Sequence, residues 1–285
     1  MYVQINKDTR DSLHRNVIAK MCMGSHAHGL ADERSDEDIL YVYYDKNYGN
    51  TIFNETNGWQ YKNGNVDENY QELRVFIQNV LTAKMCGNLE ALLDGWEFNE
   101  NNLNDDMEHA LHVIFSRLKD IKSYALAKSY LGYIKKDIKH TRKMLADSRP
   151  LASRDLHKKL AHIIRGIDTV AYLLDYDNYA FYRESLSPIK HLAKQIKFGY
   201  TDLTYEFVYK LINDSEQGMC EMRVDLNARL DTGNIYRRCN PVHLDSIHNM
   251  LNGFISHTGD TFDVIDYDDD LRYNILEKGE SFQYN

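Results

Sequence analysis

Proline is scarce: the chain has three among 285 residues, with two tryptophans, four cysteines and 15 glycines. That composition excludes collagenous and low-complexity chains. Cys22, Cys86, Cys220 and Cys239 lie far apart and form no C-x-x-C pair, which argues against a zinc ribbon and a disulfide scaffold. A reducing cytoplasm is the default compartment. No apolar run approaches the ~18 residues of a membrane span, and mean hydropathy is −0.58, so no membrane partner is expected. The opening Met1–Lys7 has no apolar core and no small-residue cleavage site and does not read as a signal peptide.

Charge and tyrosine are plentiful. Charged residues make up 27% and apolar residues 43%, ordinary for a globular protein, and at roughly 100–200 residues per domain the length points to two domains. Twenty-one tyrosines suit packing or base stacking and decide neither. The net charge of −9 is unevenly spread. Arg117 to Arg165 holds 14 Lys/Arg against 4 Asp/Glu, a balance of +10, and the remainder holds 20 against 39. Asp260 to Asp270 is strongly acidic. A basic middle can hold phosphates. Equally, Lys135, Lys136, Lys139, Arg142 and Lys143 can form one solvated helix face.

The pattern along the chain predicts a polar helix over 8–15, a strand over 17–23, a two-glycine break at Gly24–Gly29 and a strand over 36–44. Residues 46–65, dense in Asn and Gly, read as loop. A short segment around Asp67–Gln71 precedes a helix carrying Leu73, Phe76, Ile77, Val80 and Leu81 at helical spacing, and 89–94 reads as helical. Residues 107–147 read as helix up to a break at Pro150. The clearest amphipathic helix is 155–175, and further helices are expected near 188–197, 202–214 and 242–255. The expected fold is thus α+β, a small mixed-sheet α/β unit followed by an all-helical one.

The chemistry concentrates between Gly24 and Asp38. Gly24-Ser25 ends one strand, ten residues intervene, and Asp36-x-Asp38 opens the next. Alternation puts Asp36 and Asp38 on one face, roughly 6–7 Å apart. Two carboxylates so placed suit one or two Mg²⁺ ions, which take hard oxygen ligands and often share them with substrate phosphates. The Gly-Ser turn suits a phosphate chain, because glycine admits close approach and backbone N–H groups and the Ser25 hydroxyl can donate. Cys22, His26 and His28 are zinc-ligand types, but no fourth ligand is in sight, so zinc is not expected.

Gly-Ser, a loop, then Asp-x-Asp resembles the nucleotidyltransferases of the DNA polymerase beta superfamily, and the ten-residue spacing looks like its minimal members. The flanking residues Gly24–Leu30 and Ser35–Ile39 narrow the resemblance to the RNA-repair-pathway family of nucleotidyltransferases in bacteria and phages. Further blocks similar to that family are Asp67 with Tyr70–Phe76, Gly87–Leu93, Tyr130–Tyr133 and Lys158–Arg165, which together span about 15–215. Three features depart from its pattern. His28 stands where tyrosine is usual, an Asn-Pro pair lacks its proline, and Gln71 separates Tyr70 from Glu72, so that block is expected to be shifted or bulged.

The resemblance implies a nucleotidyltransferase domain over 1–104 and a helical domain with an acidic C-terminal extension over 105–285. It implies a magnesium-dependent enzyme (manganese can substitute) that moves a nucleoside monophosphate from an NTP to an acceptor hydroxyl. Asp36 and Asp38 would bind the metal, and Gly24 and Ser25 would contact the β- and γ-phosphates. Asp67 and Glu72 are the alternatives for a third carboxylate, Glu72 being preferred for the more distinctive block it sits in. Lys158, His162 and Arg165 recur on the polar face of helix 155–175, and Arg165 with a lysine would clamp the triphosphate. Tyr130 and Tyr133 read as packing. The acceptor implied is an RNA end, perhaps of tRNA. A protein acceptor, as in adenylylating minimal nucleotidyltransferases, and a silent nucleotide-binding protein are the alternatives.

Overall fold

The computed structural model of the chain describes residues 2–33, 35–46, 58–121, 123–175, 188–236 and 241–257. The acidic Asp260–Asp270 stretch and Cys239 lie outside them. The described residues form an α+β fold built on one mixed six-stranded sheet. Its strands are β1 (Val3–Gln4), β2 (Val17–Met23), β3 (Glu37–Tyr43), β4 (Trp59–Asn63), β5 (Val66–Glu72) and β6 (Glu97–Phe98), in the order β1-β4-β5-β3-β2-β6. β3 and β5 run parallel at the centre, and β2 and β4 flank them antiparallel.

Alternation along these strands divides the apolar residues between two layers. Leu40 and Val42 of β3, with Ala19 and Met21 of β2, face a large cluster. Tyr43, Trp59 and Tyr70 face a smaller one, with Ile5 and Leu13 around α1 (Lys7–His14). An extra residue in β2 between Val17 and Ala19 lets Val17 serve the second layer while Ile18 and Ala19 serve the first. On the first face lie α3 (Leu73–Leu81), α4 (Cys86–Asp94) and α5 (Asp105–Lys119), against which α10 (Pro241–His257) packs. The same apolar cluster continues through α6 (Tyr124–Ala146), α7 (Arg154–Asp175), α8 (Pro188–Lys197) and α9 (Tyr205–Asp231). Gly166 of α7 lets α6 approach closely, since a Cβ there would stand 2.5 Å from Ile134 Cγ1.

Three expectations change. The stretch read as loop over 46–65 contains β4, whose Trp59-Gln60-Tyr61-Lys62 alternates correctly and turns into β5 at Gly64 (φ 62°), a hairpin signal overlooked among the Asn and Gly residues. The helix expected over 107–147 is two helices. α5 ends at Lys119, and the Ser123 hydroxyl accepts from Leu126 N–H (3.1 Å) to start α6. Nor is β5 bulged at Gln71, because it pairs with β3 in unbroken register from Val66 to Glu72. The buried Gln71 amide is held by Asn88 in both directions (2.7 and 3.1 Å), by Asn79 (3.2 Å) and by the Tyr2 hydroxyl.

Candidate active site

Three strand ends meet at one edge of the first face. Asp38 near the start of β3 is the register partner of Met23 at the end of β2 and of Asp67 in β5. In a parallel pair, register partners project to the same side. Asp38 and Asp67 therefore stand beside each other, with Asp36 two residues upstream. After Met23 the chain turns at Gly24 (φ +61°) into α2 (Gly24–Ala27). The Asp38 carboxylate lies directly on this glycine, where a Cβ would come 2.2 Å from Asp38 Oδ2. The Gly-Ser turn and the carboxylates are thus one structure.

The cluster carries surplus negative charge. Burial raises the Asp38 carboxyl above its ordinary range, and Asp67 and Asp36 push the same way, while Lys158 and His26 pull it back. Asp67 Oδ1 is buried without a hydrogen-bond partner; the exposed Lys62 Nζ lies 3.3 Å away. His26 Nε2 is likewise buried and without a hydrogen-bond partner.

Cations from α7 and α8 lie near this turn, and one of them, Lys158, acts on the cluster. Lys158 acts electrostatically on both Asp38 and Lys197. Lys197, in the last turn of α8, donates to the Leu30 carbonyl in the loop between α2 and β3. Burial lowers its pKa to about 8, helped by Lys158, Arg154 and Arg165 and opposed by Asp32. Lys197 was not foreseen. Its basic position at a helix end is ordinary in sequence, and only tertiary packing brings it over the loop.

Several expected residues are elsewhere. Glu72 is five residues past Asp67, about 16 Å along the strand, and an odd count puts it on the opposite face. It is buried, caps α3 by accepting from Arg74 N–H (2.7 Å), and pairs with the Arg74 guanidinium at 2.8 Å. Glu72 is therefore corrected to a helix cap, and Asp67 is the third carboxylate of the cluster. Arg165, expected as a phosphate clamp, is engaged in a buried pair. Its Nη1 donates to Glu90 Oε1 (2.9 Å) and also contacts His28, which lies 3.1 Å from Glu90 Oε2. His162 Nδ1 stands 3.6 Å from Asp137 Oδ2, and Lys159 pairs with the same aspartate at 2.7 Å. The Tyr pair splits: Tyr130 is buried and donates to Glu90 (3.0 Å), and Tyr133 is 50% exposed.

The buried Glu90 network gives His28 its purpose. Burial would raise Glu90, but Arg165 and His28 overcome it and bring the carboxyl to about 2. Burial first, then Arg165, holds His28 below its usual value. His28 ties the turn to α4 and α7, and the Leu30 carbonyl ties it to α8. The segment that carries Gly24 and Ser25 is fixed at both anchors.

No protein-family model and no curated protein matches the chain. Among solved structures it is similar to a nucleotidyltransferase-like protein from Exiguobacterium sibiricum 255-15, at 9% identity, over 86% of this chain and 76% of that one, with a TM-score of 0.28. So remote a likeness decides nothing about chemistry, which the side chains themselves must carry.

The donors of the cluster suit a hard divalent cation such as magnesium or manganese. The donors are hard carboxylate oxygens, they repel one another, and one buried oxygen lacks a hydrogen-bond partner. Among the described residues no three His, Cys, Asp or Glu side chains form a ready metal site.

Proposed function

We propose that the chain transfers a nucleoside monophosphate from a nucleoside triphosphate to an acceptor hydroxyl. The observation that carries this reading is the adjacency of Asp38 to Asp67 with the Asp38 carboxylate seated on Gly24 of a Gly-Ser turn. Adjacent carboxylates beside a turn with close backbone access suit a polyphosphate brought in with a divalent ion.

Asp36 and Asp38 would hold magnesium, which when bound supplies charge neutralisation on the phosphates and acidifies an attacking hydroxyl. Gly24 and Ser25 receive the phosphate chain. Asp67 takes the proton of the acceptor hydroxyl as its oxygen bonds to the α-phosphorus. The bond from that phosphorus to the bridging oxygen breaks, and pyrophosphate leaves in line. Lys158 and Lys197 hold the charge on the leaving group. Arg165 acts one step back, fixing the turn through His28 and Glu90. An RNA end is the acceptor this reading favours, on the balance of +10 over Arg117–Arg165.

The test is transfer of label from each of four α-labelled NTPs, with magnesium, to total RNA and to total cell protein. The wild type is expected to label RNA, and Asp38→Asn is expected to abolish labelling with its melting temperature unchanged. Label in protein would move the acceptor to a protein. Equal labelling by wild type and Asp38→Asn would overturn the reading.

A further inference from the structure

The outer face of α6 carries a row of exposed lysines. At 100° per residue, Lys128, Lys135, Lys136, Lys139 and Lys143 fall within a stripe about 100° wide, opposite the buried Leu126, Ala127, Tyr130, Leu131, Ile134, Ile138, Thr141 and Leu145. The stripe runs about 22 Å along the helix. All five lysines are exposed. Among the described residues, Lys135, Lys136, Lys139 and Lys143 have no ion-pair partner, whereas the neighbouring acids Asp137 and Glu216 are committed to Lys159 and Arg142. Lys135/Lys139, Lys136/Lys139 and Lys139/Lys143 stand three or four residues apart, so the stripe repels itself. Gly132 opens the middle of the face, for nothing lies within 4 Å of a Cβ placed there.

One border of the stripe leads to the candidate active site. Asp137 joins α6 to Lys159 and His162 of α7, next to Lys158. Tyr133, beside Lys136, is half exposed, and its hydroxyl is raised by burial and by the charges of Cys86 and Glu90. An exposed ring bordering a row of unpaired lysines provides a stacking surface next to a polyanion track.

We infer that the outer face of α6 docks a nucleic-acid strand, with its phosphodiester backbone along Lys135, Lys136, Lys139 and Lys143 and a base on Tyr133. Its role as the track that delivers an acceptor end rests on the proposed nucleotidyl transfer; the binding itself does not. Four phosphate contacts to a single strand give a slope of about −2.8 in log affinity against log salt, a roughly fifty-fold loss between 50 and 200 mM.

The experiment measures binding of a fluorescent single-stranded RNA, and of DNA of the same sequence, to the full chain across that salt range. Changing all four lysines to glutamine (Lys135→Gln, Lys136→Gln, Lys139→Gln, Lys143→Gln) is expected to flatten the slope and remove most of the affinity. The corresponding four arginine substitutions should keep both. Tyr133→Leu should weaken binding about tenfold with the slope unchanged. Equal binding of RNA and DNA, or preference for RNA, both support docking of the backbone, the latter adding a contact to the 2′-hydroxyl. Wild-type affinity and slope in the glutamine protein, or competition by polyglutamate as strong as by RNA, would overturn the inference. Asp38→Asn separates the two ideas: it should abolish transfer and leave the binding slope intact. A protein that binds RNA in this way but transfers nothing would sink the proposed reaction alone.

Discussion

Gly24→Ala isolates the contact on which the active-site geometry depends. Gly24 has φ +61°, and an alanine Cβ there would lie 2.2 Å from Asp38 Oδ2 and 3.1 Å from Asp38 Cγ. Two costs follow, and they fall on different observables. The left-handed backbone costs a non-glycine residue roughly 1–2 kcal/mol, or about 2–8 °C in melting temperature for a chain of this size. The clash itself adds little to that, because a carboxylate can swing away. Swinging it, however, moves Asp38 by more than an ångström, and a displacement of about 1 Å at a reacting centre costs on the order of 10²-fold in rate. Gly64→Ala is the control. Its φ is +62°, so the backbone cost is matched, and nothing lies within 4 Å of its Cβ. Thermal melts and label transfer on both proteins should show similar losses of stability, with transfer lost only in Gly24→Ala. Full activity in Gly24→Ala, or an equal loss of activity in Gly64→Ala, would refute the argument.

Three further outcomes follow from the same geometry. Asp67→Asn should abolish transfer at unchanged stability, whereas Glu72→Ala should keep transfer in the folded fraction and lose about 2–4 kcal/mol, having removed a helix cap and left Arg74 buried without its carboxylate; the reverse pattern in melts and rates would restore Glu72 to the site. Lys197, with its pKa lowered to about 8, should take up a proton when a triphosphate binds near pH 8, and affinity should fall as pH rises through that value. Calorimetry in buffers of different ionisation enthalpy measures the uptake, which Lys197→Met should eliminate. Glu90→Gln should cost about 3–5 kcal/mol by stranding Arg165. Because the Glu90 carboxyl is held at about 2 against an ordinary 4.5, the wild-type contribution should be complete above pH 4.5 and fade as pH falls towards 2, as acid melts of the two proteins will reveal.

Much of the architecture was legible in local patterns. Val17–Met23 was readable from its apolar run, and Leu73–Leu81 and Arg154–Asp175 from helical spacing, because burial of one face imposes a period that survives in the sequence. Gly24, Ser25, Asp36 and Asp38 were readable as a group, since a turn and the strand after it bring near neighbours together. The choice between Asp67 and Glu72 was not legible. Both are acids on β5, and only the register of β5 against β3 decides which one stands beside Asp38 and which falls on the other face. Lys197, Glu90 and His28 were equally silent, because their meaning comes from helices far apart in the chain. The sequence by itself determined the alternation of strands and helices and the local acid-turn motif, which depend on neighbours a few residues away. The tertiary structure alone decided which carboxylates share a face, which cations oppose them and which lysines stay uncommitted, because those are distances between segments that no local period encodes.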